Sequence, residues 1–364
     1  MNKLPAPPLA MLAEITHRCP LRCPYCSNPI ELNKKSKEIK TKDWLSILDQ
    51  AAELGILQVH FSGGEPTVRD DLAELIAHAE QNGLYSNLIT AGVLLTKEML
   101  EAFTNAGLQH VQLSIQAANV EIGDRIGGFA GGHEKKLVAA KLIKNSGLPL
   151  TLNAVIHRLN IDQIETIIEM AVDVGAQRLE VANVQYYGWG LVNRKALIPT
   201  FDQLVKATDA VEKARKYLEG KLVIDYVVPD YYARRPKACM GGWANRFLNV
   251  NPAGFILPCH AAETIPDLTF EHFSKKSLKE IWYDSDSFNA FRGTDWMPEP
   301  CSTCERKEID WGGCRCQAAA LTGKADATDP ACELSPYHNT MLAIAKNESR
   351  GIDEQFIYRQ IGKF

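Results

Sequence analysis

The chain has 364 residues, 46% of them apolar and 23% charged, with a net charge of −4 and an isoelectric point near 6.2. That is the make-up of a soluble globular protein of about two domains, at roughly 150 residues per domain. It gives no electrostatic footing for nucleic acid, and no run approaches the ~20 apolar residues of a membrane span.

The first eight residues, Met1 to Pro8, carry one Lys and three Pro without an apolar core, so no signal peptide is expected and a cytoplasmic location is. Reducing compartments disfavour disulfides, so the ten cysteines point to metal binding or catalysis. They fall into two groups, Cys19, Cys23 and Cys26, then seven from Cys239 onward, with none between. Two separate metal-bearing regions follow from that segregation.

From residue 12 the chain alternates short apolar runs with amphipathic stretches of helical length. Strands are expected at 12–17, 57–61, 85–90, 110–115, 150–157 and 178–184. Helices are expected at 41–54, 70–82, 96–105, 133–146, 162–173 and 200–218, with Thr41, Thr96 and Thr200 as N-caps and a Gly after each helix. The alternation predicts βαβ units on a parallel sheet, six of them, too few for a closed eight-fold barrel. A run at 222–227 is set to add an edge strand.

Directly after the first expected strand comes Cys19-Pro-Leu-Arg-Cys23-Pro-Tyr-Cys26. Three thiolates are too few for a closed tetrahedral site but suit an iron–sulfur cubane with one iron left open. The basic run from Lys34 to Lys42 reads as a solvated loop. Phe61-Ser-Gly-Gly-Glu-Pro-Thr67 sits at a strand end, where paired glycines let backbone approach a ligand and Glu65 offers a carboxylate at the mouth. Gly127 to His133 reads as a flexible loop over that mouth; without a following Lys-Ser/Thr it is not a nucleotide triphosphate site. The aromatic run from Val184 to Gly190 either holds a bound side chain and shields a reactive site from water or packs at a domain interface. Prolines after Val227 end the repeating pattern. The expected units are therefore 1–230, 231–338 and a tail, 339–364, that packs as a helix or frays.

The CxxxCxxC spacing, followed by Gly63-Gly64-Glu65, resembles the signature of the radical S-adenosylmethionine (SAM) superfamily. The resemblance implies a partial (β/α)6 barrel and a [4Fe-4S] cluster on Cys19, Cys23 and Cys26 whose open iron chelates SAM. It implies a SAM site at Gly63, Gly64 and Glu65, with Thr90, Ser114, Gln116 and Asn153 lining the ribose and methionine pocket.

The later cysteines are similar to the SPASM domain, a small iron–sulfur extension of radical SAM enzymes that act on peptides. Cys239, Gly254 with Cys259, Cys301, Cys304, Cys314 and Cys332 follow its spacing, except that Asp310 stands where that family has Cys, and Cys316 is extra. Two further clusters need about eight ligands, and the seven cysteines plus Asp310 supply them. The SPASM interleaving assigns one auxiliary cluster, [2Fe-2S] or [4Fe-4S], to Cys239, Cys259, Cys314 and Cys316. It assigns the other, a [4Fe-4S] with a carboxylate ligand, to Cys301, Cys304, Asp310 and Cys332. A zinc ribbon on Cys301/Cys304 and Cys314/Cys316 is the structural rival.

Longer runs, notably 19–29, 184–189, 228–243, 291–301 and 310–316 with its Asp and paired Cys, resemble the radical SAM enzymes of pyrroloquinoline quinone (PQQ) biosynthesis. That implies an oxidoreductase that joins Glu and Tyr side chains of a small precursor peptide through a carbon–carbon bond. A peptide chaperone protein and an external electron donor such as flavodoxin are the implied partners. The alternatives are another SPASM enzyme, peptide-modifying or sulfatase-maturing, and, from a different class, an iron–sulfur electron carrier.

Overall fold

Alternation in the first strand sets the architecture. In the computed structural model, β1 (Ala10–Thr16) turns Met11, Ala13 and Ile15 onto a helix layer with no exposure, and Leu12, Glu14 and Thr16 to the opposite face. The structure describes residues 4–227, 229–351 and 355–360, so the expectations at Met1–Lys3, at Val228, and over 352–354 and 361–364 lie outside the described residues.

Six further strands follow in order, β2 (Gln58–Gly63), β3 (Tyr85–Thr90), β4 (His110–Ile115), β5 (Leu150–Ile156), β6 (Arg178–Asn183) and β7 (Val223–Val227). Each pairs in parallel with its predecessor. The connections carry α1 (Thr41–Leu54), α2 (Leu72–Gln81), α3 (Lys97–Asn105), α4 (Val120–Gly127), α5 (Gly132–Ser146), α6 (Ile164–Asp173), two short helices, α7 (Gly188–Val192) and α8 (Arg194–Leu197), and α9 (Phe201–Tyr217). The caps fit their residues. Thr96 accepts from Met99 N at 3.2 Å, and Thr200 with Gln203 forms a capping box. Thr41 is instead the first helical residue, and its hydroxyl donates to Asp71 Oδ2 at 2.7 Å.

One face of the sheet packs on the long helices, with Trp44, Ile47, Phe61, Leu75 and Leu113 fully buried. Each Leu or Ile buried there contributes about 1.5–3 kcal/mol. The other face is polar. Parallel register aligns His60 with Asn87 and Asn153 with Glu180. Asn153 donates to Glu180 at 2.8 Å, and Asn87 lies 3.0 Å from a His60 ring nitrogen. A helix-covered face and a polar face make a sheet that lines a site.

Two features depart from the expected layout. α4 has no counterpart in the expected elements, and the glycines 127–133 make a tight turn rather than a loop over the mouth. Asp124 accepts from Gly131 N at 2.6 Å and His133 N at 2.8 Å, which closes α4 onto α5. Past residue 230, β8 (Phe247–Val250) pairs in parallel with β1, and β9 (Ile256–Leu257) pairs antiparallel with β8. The strand order is thus β7-β6-β5-β4-β3-β2-β1-β8-β9, an open sheet that runs across the expected boundary.

The remaining helices are α10 (Leu278–Asp284), α11 (Asp286–Asn289), α12 (Lys307–Asp310), α13 (Arg315–Thr322) and α14 (His338–Glu348). α10 rests on the barrel helices, with Leu278 N donating to Gln50 at 2.9 Å and Trp282 Nε1 to Ala6 O at 3.0 Å. Among the described residues no helix is long and apolar enough to cross a membrane.

Candidate metal centres and active site

The loop carrying Cys19, Cys23 and Cys26 leaves the end of β1 and is gripped by the end of β2. Gly64 N donates to Thr16 O at 2.6 Å, and Glu65 N to Arg18 O at 2.7 Å. A Cβ on Gly63 would lie 2.2 Å from Thr16 O, and one on Gly64 2.2 Å from Arg18 O. The close approach that the sequence suggested for a ligand is made first by the chain itself. Glu65 is fully buried and already takes four donors: Thr67 N, the Thr67 and Thr90 hydroxyls, and Ala91 N, at 2.7–3.1 Å. Its carboxylate pins the ends of β2 and β3 together, and Thr90 in turn accepts from Gly92 N at 2.9 Å.

The loop packs Leu21, Ala91 and Val93 beside Cys19 and Cys23, and Arg22 N donates to Gly127 O at 2.7 Å. Burial pushes the Cys19 thiol up to about 12 and Cys23 to about 11, and it raises Cys26 as well. Bare thiols here are therefore neutral, and they ionise when a metal takes the proton's place. The Tyr25 hydroxyl is buried with Gln116 and Cys23 in reach and Cys26 close by. Three cysteines on one short loop, neutral until a metal displaces their protons, fit a cluster held by three thiolates.

Lys136 was not singled out by the motifs. It is 2% exposed and donates to Ala91 O at 2.8 Å and Ser114 O at 2.9 Å, two of its three N–H groups. Burial lowers it to about 8, against the pull of Cys23, Glu65 and Cys19. The signal was present, since Lys136 occupies the apolar face of α5 with Ala139, Ala140 and Ile143 at helical spacing. Ser114 is half-buried near the end of β4, and Gln116 is buried just beyond it. Asn153 is committed to Glu180, a residue the sequence reading did not flag.

The later cysteines line two recesses. One has Cys239, Cys259, Cys314 and Cys316 on its walls with Trp243 and Arg315. The other has Cys301, Cys304, Asp310 and Cys332 with Lys307 and Thr328. Among the described residues no three or more His, Cys, Asp or Glu side chains close tightly enough to hold a single metal ion. Four donors spread around each recess are of a number and kind that suit polynuclear clusters. Cys259 and Cys316 sulfurs lie 3.8 Å apart, and the Cys239 and Cys316 thiols hold Cys314 well below its ordinary value. In the second recess, Asp310 Oδ1 accepts from Gly312 N at 3.2 Å and Oδ2 lies 3.5 Å from Arg306 Nε. Its carboxylate is buried with one face still open to the recess-lining thiols.

The aromatic run packs internally and reaches toward the later cysteines. Tyr186 stacks edge-on against Tyr231 at 4.6 Å, which is packing. Tyr187 is buried and hydrogen-bonded to His260, next to Cys259, between β6 and the first recess.

The radical SAM superfamily profile matches residues 13–171, and an iron–sulfur cluster-binding domain, SPASM, matches 239–305. The PqqA peptide cyclase of Granulibacter bethesdensis is 59% identical over 357 residues, 98% of this chain and 95% of that protein. The PqqA peptide cyclase of Bradyrhizobium diazoefficiens is 58% identical over 353 residues, 97% and 93% of the two. Among solved structures, Streptococcus suis SuiB bound to S-adenosylmethionine superposes with a TM-score of 0.75 at 22% identity, covering 90% of this chain and 78% of SuiB. The anSMEcpe enzyme with bound AdoMet gives 0.67 at 17% identity, covering 94% and 96%. These two likenesses speak to the fold.

Proposed function

The chain belongs to the PqqA peptide cyclases, which are radical SAM enzymes carrying iron–sulfur clusters, and from that membership we propose that it joins a Glu and a Tyr side chain of a PqqA-like precursor peptide through a carbon–carbon bond. In that reaction, an oxidation, the peptide loses two hydrogens, one from the Glu side chain as an atom and one from the Tyr ring as a proton and an electron. The reduced cluster on Cys19, Cys23 and Cys26 supplies, when bound, the electron that splits SAM into methionine and the 5′-deoxyadenosyl radical. A PqqD-like chaperone delivers the peptide, and a flavodoxin-type donor supplies the electron.

The chain's own residues orient and insulate. Lys136, with two N–H groups on Ala91 O and Ser114 O, would offer its third N–H and a buried positive charge to the carboxylate of SAM. Glu65 and Thr90 fix the strand ends, and Glu65 Oε2, which accepts from Ala91 N alone, would have an acceptor position left for the amino group of SAM, beside Gly63 and Gly64. Ser114 and Gln116 would border the ribose, with Asn153 and Glu180 acting as one hydrogen-bonded pair. The unit 1–230 thus carries the SAM site and 231–338 the auxiliary clusters.

Two recesses of four donors on the same chain as the three-thiol loop carry this reading. Clusters held by these residues would offer acceptors for the electron released on rearomatisation, which an enzyme with the SAM cluster alone would lack. Two thiolates on one tetrahedral metal with bonds of about 2.3 Å lie about 3.8 Å apart. The Cys259–Cys316 separation matches that edge and favours a two-iron cluster at Cys239, Cys259, Cys314 and Cys316. Asp310 gives the second auxiliary cluster a harder, more exchangeable fourth ligand.

The test is an anaerobic incubation with SAM, reductant, chaperone and a Glu/Tyr precursor peptide, read by mass. A loss of two hydrogens mapped by fragmentation to a Glu–Tyr bridge is expected. An unmodified peptide beside free 5′-deoxyadenosine would overturn the cross-link while leaving radical SAM chemistry in place.

A further inference from the structure

Residues 355–360, beyond α14, lie as a strap against the three-cysteine loop. At the end of α14, Glu348 pairs with Arg194 through both oxygens at 2.7 and 2.8 Å. Over 355–360 the chain then runs beneath the loop. Ile357 exchanges two hydrogen bonds with Asn193, whose amide also donates to Pro24 O at 3.0 Å, inside the CxxxCxxC run. Phe356 is buried against His157, and Tyr358 lies under the Arg22 guanidinium at 5.3 Å. At the end stands Arg359, 5% exposed, whose guanidinium donates to Leu21 O through Nε at 3.1 Å and to Cys19 O through Nη2 at 3.1 Å.

This geometry is unusual for a surface arginine. A planar fork fixes two carbonyls at once, and a buried cation held by backbone oxygens sits beside the loop. Cys19, Cys23 and Cys26 all feel its charge.

We propose that Arg359 is a positioning residue of the radical centre: it sets the direction of the Cys19–Leu21 backbone so that the three thiols converge, and it places a fixed positive charge that favours the reduced, more negative cluster. The proposal rests on the reading of Cys19, Cys23 and Cys26 as the SAM cluster. A cation held by backbone carbonyls is present whether or not substrate is bound, so its effect belongs to the resting enzyme. Beside it, Asn193 ties Ile357 to Pro24 of the cluster loop, and the neighbouring Arg194 pairs with Glu348, 154 residues later in the chain.

The experiment uses the full chain with its clusters loaded anaerobically, comparing the parent with Arg359→Met and Arg359→Lys. The SAM-dependent change in the paramagnetic resonance signal of the reduced cluster isolates the three-cysteine site from the auxiliary ones. Two quantities are read: the reduced-to-oxidised ratio of that cluster at a fixed applied potential, and its rate of iron loss to a chelator. Arg359→Met is expected to lower the ratio about tenfold, equivalent to about 59 mV for a one-electron couple, and to speed iron loss. Arg359→Lys keeps the charge and loses the fork, so its ratio stays within twofold of the parent while iron loss is still faster. Unchanged iron loss in both variants overturns the positioning role. An unchanged ratio in Arg359→Met overturns the electrostatic role. If Arg359→Met does not fold, Arg359→Lys decides, since parental iron loss in it refutes the fork. Absence of any SAM-dependent signal in the parent would strike at the cluster assignment itself and not at Arg359.

Discussion

Replacing Lys136 by Met separates binding from folding. Its ammonium is buried and held near 8 instead of 10.5, a fall that corresponds to about 3 kcal/mol at about 1.4 kcal/mol per pH unit. The sign follows from linkage. Because the folded value lies below the unfolded one, the penalty is full below about pH 8 and fades as pH rises toward 10.5. Met removes that penalty, but it also strips Ala91 O and Ser114 O of their donor, at about 1–3 kcal/mol each. The two effects nearly cancel, so the cluster-free protein should unfold within a few degrees of the parent at pH 7.5. SAM affinity should not be spared. A hydrogen bond to a charged group is worth about 1.5–3 kcal/mol, which is roughly 10- to 150-fold in Kd. Calorimetric titration of SAM into anaerobically loaded protein measures this directly. In the parent, affinity should decline as pH rises past the Lys136 value, and in Lys136→Met it should be flat. A variant with intact clusters that binds SAM within threefold of the parent, with the same pH profile, would refute the role given to Lys136.

Three other outcomes follow from the geometry. Gly64→Ala places a Cβ 2.2 Å from Arg18 O, a backbone atom that cannot swing aside, so a loss of about 3 kcal/mol, a fall of roughly 6–12 °C in melting temperature and poor iron loading at the first cluster are expected in thermal and iron assays. Asp310→Ala removes one donor from the second recess, and iron counting should show that cluster depleted while the SAM-dependent signal persists; equal iron in variant and parent would exclude Asp310 as a ligand. His157 is buried and lowered to about 3, so stability is full above about pH 6.5 and is lost as pH falls toward 3. Urea titrations should therefore show about 2 kcal/mol less stability at pH 5 than at pH 6.5 from this residue, a difference that His157→Gln removes.

Local periodicity carried most of the barrel. The strands β3 and β4 and the helix α1 match their expected bounds, because each alternation or amphipathic stripe is complete within the segment. The three-thiol loop was legible from its spacing, and the resemblance to the SPASM domain grouped the eight later donors into the two sets that line the two recesses. What stayed hidden depends on distant partners. β8 reads as an ordinary apolar run until β1, some 235 residues earlier, offers it an edge. The structural duty of Glu65 was also hidden, because its sequence neighbours do not reveal that Thr90 and Ala91 donate to it from the next strand. Arg359 has no local signal, for its partners are backbone carbonyls 338 and 340 positions away. α4 was missed because Gly123 within it and Gly127 and Gly128 at its end mask eight helical residues, although Asn119 caps them by accepting from Ile122 N at 2.9 Å.

The seam between β1 and β8 also governs how the chain can be made. Until residue 250 has left the ribosome, β1 offers an unsatisfied row of backbone donors and acceptors along one side, immediately before the thiol-bearing loop. Such an open edge invites pairing with a neighbouring chain, and contacts of so large a sequence separation form slowly. A fragment cut near residue 230 would keep that edge for good and would be expected to self-associate. The auxiliary half thus shields the nascent barrel from its own kind, an office quite apart from moving electrons.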